Sequence, residues 1–189
     1  MLKINDYLTP AERMQVLSRS DLWAWWLVLS TWALTIGLLL LAGAFPHPVT
    51  ILLVWVLLAG RQLGLSVLMH EAGHNTLFAS RVLNHWVGQW LCALPTLNDL
   101  TAYAIGHLDH HRLAGTPNDP DLPNYRAYPV DGTSFRRKVV RDLTGQTGFK
   151  LIAGILRGGL VHFGGRSSDG NSLLLKQLLV QAALAAILM

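Results

Sequence analysis

An all-α integral membrane protein is the fold class the sequence predicts, and three observations predict it. Of the 189 residues 51% are hydrophobic and only 14% charged, a composition that suits a soluble globule poorly. Leu22–Phe45 carries no charged residue over 24 positions, about 36 Å of helix, enough to cross roughly 30 Å of hydrocarbon. A second apolar run, Val49–Met69, follows after only a proline-fixed turn. The expected architecture is a transmembrane helical hairpin, a cytoplasmic histidine-rich region with interfacial helices, and an incomplete third span. All of it forms one membrane domain over residues 1–189.

Taken in order, residues 1–21 are mixed in polarity, with Lys3, Arg13 and Arg19. Thr9-Pro10-Ala11-Glu12 reads as the start of a short interfacial helix, with Thr9 as N-cap and Pro10 in the first turn. The first span, residues 22–45, opens with an interfacial belt of Trp23, Trp25 and Trp26. It exceeds the apolar core of a signal peptide. Phe45-Pro46-His47-Pro48 makes the turn. The second span, residues 49–69, contains Arg61 and Gln62. Either Arg61 faces protein or a polar cavity, or the helix leaves the bilayer early.

Residues 70–171 form the cytoplasmic and interfacial region. Within it, Val82–Leu97 is apolar but interrupted by His85, Gln89 and Pro95, and reads as a segment in the interface or dipping into one leaflet. That returns the chain to the side it left. Gly115–Asp121 is dense in turn formers. Ser134–Leu160 mixes Arg136, Arg137, Lys138, Arg141, Lys150 and Arg157 with apolar residues, a basic amphipathic pattern suited to an anionic membrane surface. Residues 172–189 open a third span, with Lys176 and Gln177 near its start and too few apolar residues after them to cross. The sequence therefore reads as a piece of a longer polypeptide.

The net charge of +4 and pI near 9.6 do not indicate a nucleic-acid binder, because the basic residues are not a compact patch interleaved with aromatics. They report topology instead. Three precede the first span, none lies in the 46–48 turn, and ten fall between Glu71 and Asn171. The positive-inside rule thus places the N-terminus and the histidines in the cytoplasm. The single cysteine, Cys92, excludes an internal disulfide and reads as a small core hydrophobe.

The chemistry lies in two boxes. His70-Glu71-Ala72-Gly73-His74 puts two imidazoles one helical turn apart, and His107-Leu108-Asp109-His110-His111 puts three on one stripe if helical. A lone H-E-x-x-H reads as a zinc protease site, with Glu71 as base. An intramembrane protease would need a further ligand, usually a carboxylate, and no aspartate lies in an apolar span. Five imidazoles exceed one catalytic zinc and suit a pair of redox-active irons with positions open to dioxygen. His47, His85 and His162 stand alone and read as structural.

Together, His70-x-x-x-His74 after the second apolar run and His107-x-x-His110-His111 resemble the first two histidine boxes of the membrane fatty acid desaturase superfamily. Leu83–Trp90 and Gly115–Asp121 resemble its bacterial branch. The resemblance implies a non-haem di-iron oxidoreductase of the bacterial inner membrane. It would use dioxygen and two electrons from a ferredoxin- or cytochrome-type donor to place a double bond in a membrane lipid acyl chain. It implies that His70, His74, His107, His110 and His111 are the metal ligands or their immediate surroundings. On physical grounds Glu71 reads as a contact that holds an imidazole, and Asp109 either as another such contact or as an exposed carboxylate on the helix surface. Relatives include hydroxylases and carotenoid ketolases. The family's third box is missing from these 189 residues, so no turnover is expected of this chain alone. The alternatives are the zinc protease and a non-catalytic membrane fragment.

Overall fold

The computed structural model describes residues 7–156 and 170–186, which are helical with no strand among them. The first helix, α1 (Pro10–Val16), begins in a full capping box. Thr9 Oγ1 accepts from the Glu12 amide, and the Glu12 carboxylate accepts from the Thr9 amide at 2.8 Å. Next comes α2 (Asp21–Ala44), capped by Ser20, and after the turn α3 (Pro48–Gly73), where the Val49 amide donates to His47 Nδ1 at 3.3 Å. Both are long and apolar enough to cross a membrane, and α2 packs on α3 as a hairpin. His47 is thus a helix cap.

Beyond α3 the chain folds back on it. Asn75 takes a left-handed conformation, φ 58°. The segment Arg81–Thr96 is helical in three pieces: α4 (Arg81–Val87), a π-helical stretch Gly88–Ala93 and a 3₁₀ turn Leu94–Thr96. Val87, Gly88, Cys92, Ala93, Leu94 and Pro95 are buried, while Val82, Trp86 and Trp90 face outward. One side of this apolar segment is therefore core of the protein. The core joins Ala24 and Val28 of α2, Leu68, Met69 and Ala72 of α3, Phe78, Val87, Cys92 and Leu100.

Directional contacts fix this arrangement. Trp32 Nε1 donates to the Leu91 carbonyl at 3.0 Å, and the Ala79 amide donates to Asp21 Oδ1 at 2.7 Å. Buried Asn84 accepts from the Phe78 amide and donates to the Phe78 and Ser80 carbonyls. The closest approach is at Gly88. A Cβ there would lie 2.6 Å from the Ala72 Cβ and 3.0 Å from Leu100 Cδ2, so only glycine lets the π-helical stretch lie against α3.

Left-handed Leu97, φ 61°, then turns the chain into α5 (Leu100–Leu113), N-capped by Asp99, whose Oδ1 accepts from the Ala102 amide at 2.8 Å. A single turn, α6 (Leu122–Tyr125), interrupts the irregular stretch after α5. Next come α7 (Gly132–Leu143), α8 (Gln146–Leu156) and α9 (Gly170–Ala185). α7 and α8 pack on each other, with Phe135, Leu143 and Phe149 exposed. α9 rests on the 3₁₀ turn, where Gln181 Nε2 donates to the Pro95 carbonyl at 2.9 Å. Arg61 and Gln62 line a cavity of about 270 Å³ with Trp32, Thr35 and Gln181, so Arg61 faces a partly polar space between helices. Arg157, His162 and residues 187–189 lie outside the described residues.

Candidate metal centre

Two helix ends build the site. The last turn of α3 carries His70, and His74 is its C-cap; the second half of α5 carries His107, His110 and His111. Folding Arg81–Thr96 back on α3 lays α5 beside it, and the two boxes meet although they are 33 residues apart. One ligand atom from each of His70, His74 and His107 lies within 4.8 Å of the others. His74 Nε2 and His107 Nε2 are 3.0 Å apart, as are His107 Nε2 and His111 Nε2. The rings pack tightly, with centroids 4.4 Å apart for His70 and His107 and 4.9 Å for His74 and His111.

Electrostatics favour the neutral form at His74 and His107. Burial, then the neighbouring His70 and His111, hold His74 below the ordinary histidine value; burial and the four surrounding histidines bring His107 down to about 4. Neutral imidazoles keep a lone pair for a metal, and a spacing near 3.0 Å matches two nitrogens at right angles on an ion with bonds of about 2.1 Å. The donor set therefore fits a transition metal such as iron.

His110 is held differently. Its ring stands 6.1 Å from that of His107, and its Nδ1 lies 2.8 Å from Oδ1 of buried Asp119 and 3.7 Å from Asp121 Oδ2. The Asp119 carboxylate raises His110 above its ordinary value against a smaller effect of burial. Burial alone would raise Asp119, but hydrogen bonds from Tyr125, His110 and the Asp121 amide carry it down to about 2. A carboxylate on one imidazole nitrogen fixes the tautomer and frees the other nitrogen.

Glu71 and Asp109 point elsewhere. The Glu71 carboxylate accepts from Thr76 Oγ1 at 2.7 Å, and Asp109 pairs with Arg112 at 2.9 Å on the surface. The imidazole-holding groups are instead Asp119 and Tyr103. The Tyr103 hydroxyl lies 2.8 Å from His70 Nδ1, and its ring stacks on His107 at 12°. Burial, then the Asp121 carboxylate, push this phenol up. Tyr103 sits one turn before His107, and Asp119 lies in the turn-rich stretch after the second box, but neither position by itself reports the imidazole it contacts. Tyr103, His107 and Asp121 also border a cavity of about 380 Å³ with Ser66, Met69, Asn98, Gly106 and Pro120.

The fold and site define a class: a helical protein with two helices long and apolar enough to cross a membrane and, where α3 ends beside α5, a cluster of imidazoles spaced to hold a metal ion. The family profile of fatty acid desaturases matches residues 46–189, so the chain belongs to the fatty acid desaturase family. It is 34% identical to dihydrorhizobitoxine desaturase of Bradyrhizobium elkanii over 86 residues, 44% of this chain and 23% of that protein. It is 38% identical to beta-carotene ketolase of Paracoccus sp. (strain PC1) over 101 residues, 51% of this chain and 38% of that protein. The chain thus spans well under half the length of either relative. No solved structure matches it significantly.

Proposed function

We propose that this chain contributes the first two histidine boxes of a di-iron oxidoreductase that desaturates lipid acyl chains. The observation that supports this most is the meeting of His70 and His74 with His107 at one point, in a chain of the desaturase family. His70, His74, His107 and His111 would hold the metal pair, joined by His110 through its free Nε2. When bound, two irons supply an oxidant made from dioxygen and two electrons, strong enough for an unactivated C–H bond. Asp119 keeps His110 in one tautomer by accepting from its Nδ1. The cavity beside Tyr103 and His107, with Met69, Gly106 and Pro120 in its wall, would orient the reacting part of an acyl chain and limit water.

The electrons would come from a ferredoxin- or cytochrome-type donor. In this reading the protein sits in a bacterial inner membrane, with its N-terminus and both boxes on the cytoplasmic side. A relative that is a ketolase is consistent with the same oxidant serving other outcomes. The zinc-protease alternative is not favoured, because Glu71 is engaged by Thr76 and, among the described residues, no carboxylate joins the three-imidazole group.

Elemental analysis and Mössbauer spectroscopy on the detergent-purified protein test this reading. Bound iron should disappear in His74→Ala and in His107→Ala, and Glu71→Gln should retain it. One zinc per chain, indifferent to His107, His110 and His111, would sink the proposal.

A further inference from the structure

We infer that Tyr103 is a positioning residue that sets the tautomer of His70 and ties the two histidine boxes into one unit. This rests on the metal-centre reading above. The hydroxyl lies 2.8 Å from His70 Nδ1, and the hydrogen between them can be shared in two ways. If the phenol donates, His70 carries its own proton on Nε2, and that nitrogen has no lone pair to offer. If Nδ1–H donates to the phenol oxygen, Nε2 is bare. Metal binding through Nε2 therefore selects the second arrangement, with Tyr103 as acceptor. The phenol's own hydrogen is then free to turn toward the cavity that Tyr103 lines with Ser66, Asn98 and Asp121.

The ring has a second task. It lies nearly parallel to His107, at 12° and 5.2 Å between centroids. Tyr103, His107 and His111 follow one another at four-residue spacing on one stripe of α5. One side chain thus touches an imidazole from each box. A tyrosine that merely filled space would need neither the hydroxyl contact nor the parallel ring.

Tyr103→Phe separates these tasks, because it keeps the stacking ring and loses the hydrogen bond. The probe is cobalt(II), titrated into the metal-free, detergent-purified chain and followed by its visible absorption. The unvaried chain should bind it, and His74→Ala should abolish the band. Tyr103→Phe should weaken binding about 10- to 100-fold and shift the band, with thermal unfolding of the metal-free protein unchanged. Unaltered affinity and spectrum in Tyr103→Phe would overturn the inference while leaving the metal centre standing. No band that depends on His74 in the unvaried chain would remove the metal-centre reading and this inference with it. A second measurement needs no variant. Nitrogen-15 NMR of the zinc-loaded chain, labelled at histidine, should show His70 Nδ1 protonated and Nε2 coordinated; coordination through Nδ1 would refute the assignment even if Tyr103→Phe did not fold.

Discussion

At the scale of single residues, the site depends on groups that hold imidazoles as much as on the imidazoles. Asp119 is the clearest case: it is buried, it accepts from Tyr125, His110 and the Asp121 amide, and nothing else described here competes for it. Asp119→Asn keeps the shape but offers His110 Nδ1 a weaker, neutral acceptor. Metal affinity should fall by about tenfold or more, measured by competition with a chelator, while Asp109→Asn at the surface pair with Arg112 should change nothing. The histidines were legible from spacing alone, because a helix puts residues three and four apart on one stripe. Asp119 and Tyr103 were not legible as partners. Their contacts span nine and 33 residues, and no local periodicity reports which side chains a turn or a folded-back helix will bring together.

Among the elements, the segment Arg81–Thr96 decides whether there is a site at all, since it returns α5 to the end of α3. Gly88 is its tightest point. Gly88→Ala places a methyl 2.6 Å from the Ala72 methyl, a contact that must push the π-helical stretch away from α3. The expected cost is about 1–3 kcal/mol, seen as a lower unfolding temperature in detergent, and Ala72→Gly in the same chain should recover part of it. If Gly88→Ala unfolds like the parent, the close approach does not exist in solution. The two long helices, the capped α1 and the helical boxes follow from hydropathy, proline turns and cap residues, all local signals. The inward face of Val87–Pro95 does not, because an apolar run looks the same whether lipid or protein covers it.

Across the whole molecule, α2 and α3 form a hairpin whose turn at Phe45–His47 lies at the opposite end from the imidazole cluster. With Cys92→Ser as background, single cysteines test the proposed orientation. Thr9→Cys and Ser134→Cys should react with a membrane-impermeant thiol reagent only when the cytoplasmic face is open, and Pro46→Cys only from the other side. Labelling of Ser134→Cys and Pro46→Cys from the same side would refute the hairpin as a double crossing.

His70 belongs to the final turn of α3, and His110 and His111 to the final turn of α5. Two macrodipoles therefore aim their negative ends at one place, each equivalent to about half an elementary charge. That field draws a multivalent cation to the imidazoles before any of them bonds to it. It also resists the arrival of an electron there. A metal held between these ends would be stabilised in its more oxidised form, and a donor that reduced it would have to be correspondingly strong.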